Sequence, residues 1–134
     1  MGMLFGHNQN KTVHYGLLYN WFAVVDAKFC PSNWSVISYS DITSIVTYYG
    51  GTTVAGGHLK KEGLFGWNSP NTSADNSSNF SLLGGGARNS GGSFRVLKQD
   101  GYYWTNTEDS TYYAWDYIVY YNSATINVQP YSLK

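Results

Sequence analysis

Polar and apolar residues alternate most clearly near the end of the chain. From residue 114 to 122, Trp115, Tyr117, Val119 and Tyr121 fall on one parity, and Asp116, Ile118, Tyr120 and Asn122 on the other. A period of two is the mark of a β-strand with two different faces. Ile126 and Val128 alternate against Thr125, Asn127 and Gln129 in a second strand, and Ser123-Ala124 provides the turn. Phe94, Val96 and Leu97 predict one shorter strand, and residues 102–105 another. The parity predicts a scaffold row of Trp115, Val119 and Tyr121 facing the core. Asp116, Ile118 and Tyr120 form an outward row.

The first half reads as helical. Residues 15–25 (YGLLYNWFAVV) are continuously apolar, with Leu17, Leu18, Trp21, Val24 and Val25 at helical spacing. A buried helix is the reading taken, with a strand as the competitor that periodicity cannot separate in so short a run. A second helix carries fuller signals. Ser38 is an N-cap with Asp41 three residues on, and Ile37 and Ile42 stand where a hydrophobic staple belongs. Ile42, Ile45, Val46 and Tyr49 mark one face, and Gly50-Gly51 stops the helix. Residues 66–81 are a long polar loop, of the kind that is functional or pinned by its own contacts. Residues 84–92 (GGGARNSGG) lack the Gly-Lys-Ser/Thr ending of a phosphate loop and predict tight turns between short strands. Helices first and strands last make an α+β domain. Its expected layout is a loose segment at 1–14 and one domain at 15–134, in which two helices precede a small antiparallel sheet with long loops.

Composition narrows the function. Charged residues are 12% of the chain against 18% aromatic, about half the charge usual in a soluble domain. Eight basic residues cancel eight acidic ones, which argues against nucleic acid and against docking on an anionic membrane. No apolar run reaches membrane-span length. The start has neither a signal-peptide pattern nor a myristoylation pattern. The single cysteine, Cys30, cannot form a disulfide within the chain and reads as a small buried residue beside a turn. Asn-x-Ser/Thr sequons begin at Asn10, Asn33, Asn71, Asn76 and Asn79, a pattern that so Asn- and Ser-rich a chain produces by composition alone.

Chemistry for catalysis is missing. His7, His14 and His58 show no metal-ligand spacing, and Cys30 has no histidine or acid beside it in sequence. Glu108, Asp109 and Asp116 cluster and could share calcium, or fit a glycosidase pair, but nothing singles them out over solvated carboxylates. The reading is therefore a non-enzyme without cofactor or metal. What the chain does have is seven tyrosines and two tryptophans between Tyr102 and Tyr121. Tyrosine gives large contact area at small entropic cost, as in antibody loops. In two alternating strands these rings cannot all face inward.

The motifs YGLLYNW (15–21), CPSNWSV (30–36), the long run from Gly56 to Phe94, YYWTNTE (102–108), Ala114-Trp115 and YYNS (120–123) together resemble the Fibrobacter succinogenes major paralogous domain. The resemblance covers about residues 15 to 132. It implies a C-type-lectin-like fold related to the variable proteins of diversity-generating retroelements, including phage receptor-binding proteins. In those proteins a fixed scaffold displays diversified residues on the last strands and loops, here 101–134. Tyr112, Tyr113, Asp116, Ile118, Tyr120, Asn127, Pro130 and Tyr131 fit a randomised Asn codon. Gln129 needs a Lys or Gln codon, and Asn122 joins Asp116 and Asn127 as a source of directional hydrogen bonds. Trp104, Glu108, Ala114, Trp115 and Tyr121 would be scaffold.

The chain departs from the family at Asn33, Ser35 and Ala87, and it stops at Lys134 without the usual closing strand. Either another chain supplies that strand, a sister subunit as in a trimer or a carrier protein, or the sheet is left open, or the fold is altered here. Gln129-Pro130-Tyr131 is one residue short of a lectin calcium motif, and one cysteine cannot supply the oxidative chemistry of the enzyme branch. The expected function is a display domain on a phage tail fibre or bacterial surface that binds a protein or glycan on a target cell. The alternative is a structural fibre or adhesin module whose aromatic face packs against sister subunits.

Overall fold

In a computed structural model the chain is described from residue 9 to 134, with the side chains of Gln9, Asn10, Thr12 and Tyr131 left out of the description. The order is α1 (Gln9–Tyr15), α2 (Trp21–Val24), α3 (Tyr39–Tyr48), α4 (Ala55–Leu59), β1 (Ala87–Arg88), β2 (Phe94–Arg95), β3 (Asp100–Glu108), β4 (Tyr113–Tyr120) and β5 (Ile126–Leu133). The architecture is α+β, with four short helices among the described residues where two were expected. The antiparallel sheet has the order β3-β4-β5, so β4 is central, and β1-β2 is a separate hairpin.

Local chemistry explains the elements that matched. Ser38 caps α3, its hydroxyl accepting from the Asp41 amide at 3.1 Å, and the Asp41 carboxylate accepts in return from the Ser38 amide. The Gly50-Gly51 stop carries positive φ at both residues, a conformation open to glycine. Residues 87–95 turn back as the β1-β2 hairpin, which matches the tight-turn reading of the glycine-rich run.

The expected helix over 15–25 is corrected. The chain is helical before it, in α1, and again over the four residues of α2. Gly16 sits at φ 74, and the Asn20 side chain accepts from the Ala23 amide to start α2 afresh. Continuous apolarity hid that break. Residues 9–14 of the segment expected to be loose are helical, and the rest of that expectation, with His7, lies outside the described residues. Cys30 is half-exposed, not buried.

One core lies between α3, α4 and the sheet. It gathers Ile42 and Val46 of α3, Leu59 of α4, Trp67 of the long loop, Tyr117 and Val119 of β4, and Ile126 of β5. Burying each of these aliphatic side chains contributes about 1.5–3 kcal/mol. The loop at 66–81 is pinned, as its length suggested. The Trp67 indole donates to the Leu82 carbonyl, and the buried Asn71 amide donates to the Lys61 and Gly63 carbonyls.

Lys60 is the tie that the sequence did not reveal. It is 0% exposed. Its ammonium donates to the carbonyls of Thr72 (2.9 Å), Tyr120 (2.8 Å) and Ser123 (2.8 Å), joining the long loop to the end of β4. Burial pushes its pKa down to about 8, while three carbonyl partners match the three donors of the charged form.

Candidate functional site

The pairing register sorts the last three strands into two faces. On the core face Tyr103 pairs with Tyr117 and Gly101 with Val119, while Val128 and Ile126 stand opposite on β5. The Tyr103 and Tyr117 rings stack at 5.2 Å, and burial raises the pKa of both phenols. Trp115 is half-buried against Tyr39 of α3, with ring centroids 4.0 Å apart. Tyr121 packs at the edge of the core. This is the expected scaffold row.

The other face is a grid of three cross-strand rows. Trp104, Asp116 and Gln129 make the first, Tyr102, Ile118 and Asn127 the second, and Asp100 and Tyr120 the third. Ser132 adds to the first row, because a register shift between Ala114 and Asp116 brings its hydroxyl to Asp116 Oδ2 at 2.7 Å. Such bulges re-aim side chains at functional edges. Pro130 falls within this shifted stretch of β5, an edge strand, where a missing amide donor is tolerated.

Here the outward-row expectation needs correction. Asp116 is 2% exposed and Ile118 5%. They have the predicted parity and lie on the central strand, and Asp116 also lines a cavity with Tyr19, Asn20 and Trp104. Tyr102 (39% exposed) and Asn127 are exposed, while Trp104, Tyr120 and Gln129 are half-buried. The face is thus a shallow bed. Its floor is Asp116 and Ile118, and its walls are rings and amides.

The remaining expected residues fall outside the grid. Tyr112 and Tyr113 are exposed at the β3–β4 turn, Tyr113 paired with Leu133, and Asn122 is exposed just past β4. The Tyr131 side chain lies outside the description. Sequence reasoning missed the β3 contribution of Asp100 and Tyr102 and read Trp104 as scaffold. Their own alternation with Gly101, Tyr103 and Thr105 carried the signal.

Electrostatics single out the floor. Burial pushes the Asp116 carboxyl pKa up to about 6, although the Ser132 hydroxyl and the Gln129 side chain favour the charged form. Oδ1 of Asp116 is buried without a hydrogen-bond partner. Burial raises Asp100 as well, with Tyr102 opposing. The phenols of Tyr102 and Tyr120 are raised by burial and then by the neighbouring Asp100 carboxylate, and the Tyr120 hydroxyl accepts from Asn127 at 2.7 Å. A cavity of about 790 Å³ borders the face, its lining including Tyr102, Trp104, Asp116 and Ser132.

No catalytic set assembles at the other candidates. His58 meets both Asp75 and Ser77 through the same nitrogen, Nδ1, so the serine is not placed as a nucleophile for the far nitrogen. Glu108 is paired with Lys134. Among the described residues no three His, Cys, Asp or Glu side chains gather as a metal site.

Fold and face together define an α+β domain whose terminal sheet covers a core on one side and presents an aromatic, acidic bed on the other. The chain belongs to the Fibrobacter succinogenes major domain family, which it matches over residues 2–131. No curated protein and no solved structure matches it.

Proposed function

We propose that this chain is a ligand-binding display domain of C-type-lectin-like type, which recognises a protein or glycan on a target cell through the outer face of β3–β5. A phage tail fibre or a bacterial surface is the setting that suits it. The observation that carries the reading is the bed itself. Tyr102, Trp104 and Tyr120 share this face with Asp116, one of whose buried carboxylate oxygens has no hydrogen-bond partner. A buried unpaired acceptor costs about 1–3 kcal/mol, a cost that a hydrogen-bonding ligand would remove. Neither nucleic acid nor a cofactor is part of the proposal, and the domain is not proposed to be an enzyme.

Retroelement diversification is part of the same proposal. It predicts a near-copy of the 3′ coding stretch beside a reverse transcriptase gene, differing at adenines. Differences spread over all bases would remove that part and leave the binding reading standing.

A structural fibre module is the second reading. Exposed Phe22, Trp34, Leu64 and Phe65 favour it, because they lie outside the bed and suit burial in an assembly. Sedimentation combined with tyrosine nitration separates the two. The display reading expects Tyr102 and Tyr120 to react in whatever oligomer forms. A stable trimer in which both are protected would favour the structural module.

A further inference from the structure

We propose that the bed on β3–β5 takes a ligand bearing an ammonium group, with Asp116 as its counter-ion and Trp104 and Tyr102 as its aromatic walls. The inference rests on the reading of this face as a ligand site and names the chemistry of what it holds.

Charge balance decides between a cation and a neutral hydroxyl. The rows carry two carboxylates, Asp100 and Asp116, and no basic residue. Two cations line the adjoining cavity, and both have partners. Lys134 is held by Glu108 and by the Ser110 and Thr111 carbonyls, with its ammonium 4.7 Å from the Trp21 ring centroid. Arg88 donates from Nε to the Gly92 carbonyl at 3.1 Å. A neutral hydroxyl would satisfy Oδ1 of Asp116 but leave a buried charge uncompensated, which costs more than an unmade neutral hydrogen bond. An ammonium ion supplies both the donor and the charge. Aromatic faces around it add cation–π attraction, strongest from tryptophan.

Geometry decides between ammonium and guanidinium. Oδ2 is already occupied by Ser132 at 2.7 Å, so one oxygen is open. A guanidinium fork needs both carboxylate oxygens for its bidentate contact, whereas a compact ammonium needs one. Oδ1 is closed to water in the free chain. Gln129 stands directly across from Asp116 on β5 and is half-exposed.

The source that fits is a lysine side chain on a protein, because a quaternary ammonium has no N–H to give Oδ1. The chain is titrated with Nα-acetyl-lysine methylamide, with its neutral isostere acetyl-norleucine methylamide, and with choline as a cation that lacks a donor. The Trp104 indole resonance is followed by NMR. The expected result is saturation by the lysine probe, with the isostere and choline about tenfold weaker or worse. Asp116→Asn loses about tenfold in affinity with an unchanged or higher melting temperature.

Equal binding of the isostere or of choline, no saturation by the lysine probe, or an unaffected Asp116→Asn would overturn the ammonium assignment. If the assignment fails while Tyr102→Ser and Tyr120→Ser still abolish cell binding, the face is a ligand site for a neutral group. If those substitutions also leave cell binding intact, the display reading itself is lost.

Discussion

Replacing Asp116 with Asn should stabilise the free domain. The residue is 2% exposed, and burial lifts its carboxyl from 3.8 to about 6. At about 1.4 kcal/mol per pH unit, that gap makes the ionised carboxylate cost the fold up to about 3 kcal/mol at neutral pH. Between pH 4 and 6 the folded chain holds a proton that the unfolded chain has released. Stability from this group is therefore present at low pH, falls as pH rises through that window, and stays low above it. Asp100, also raised by burial, acts in the same direction. Asp41 and Asp75, lowered by hydrogen bonds from Ser38 and Ser77, act in the opposite one. The informative quantity is thus the difference between parent and variant, in which those other groups cancel. Asparagine keeps the shape and an acceptor for the Ser132 hydroxyl. Urea unfolding at pH 7.5 should show the variant more stable by about 1–3 kcal/mol, with the gap closing towards pH 4. A variant less stable than the parent at pH 7.5, or a gap independent of pH, would show that the carboxylate is not held at a cost.

Lys60→Met should lose about 2–4 kcal/mol in the same assay, because three buried carbonyls lose their shared donor. A loss below about 0.5 kcal/mol would mean that water replaces the ammonium there. Ile118→Ser should lower stability by about 2–4 kcal/mol, since the side chain is 5% exposed beneath its neighbours. An unchanged melting temperature would return it to the solvent-facing row. Ser38→Ala should cost about 1 kcal/mol through the lost cap of α3, and far-ultraviolet circular dichroism during thermal unfolding would report the shift.

Elements with local signals were legible in the sequence. The α3 cap, its apolar face and its Gly-Gly stop all lie within fourteen residues, 38–51. The parity of β4 set Tyr117 and Val119 of the core cluster on one face, but Asp116 and Ile118 of the opposite parity are buried too. Parity gives no information on depth, however. Asp116 and Ile118 are buried on the central strand, and strand order is set by pairing between distant residues. The split between α1 and α2 was hidden for a different reason. In an apolar run, Gly16 and Asn20 are the only markers of a break, and the asparagine acts through a side-chain cap instead of through polarity. Lys60 illustrates the largest gap. Its partners lie twelve to sixty-three positions away, so a charge beside a glycine-rich turn carried no sign of burial.

Cell binding tests the central claim most directly. The labelled chain is applied to a panel of bacterial cells and read by flow cytometry, with Tyr102→Ser, Tyr120→Ser and the control Tyr48→Ser, whose ring is exposed on α3, measured beside the parent. The account predicts that the parent stains a subset of cells, that either bed substitution weakens staining by about tenfold or more, and that the control leaves it unchanged. Staining that survives both bed substitutions would contradict it.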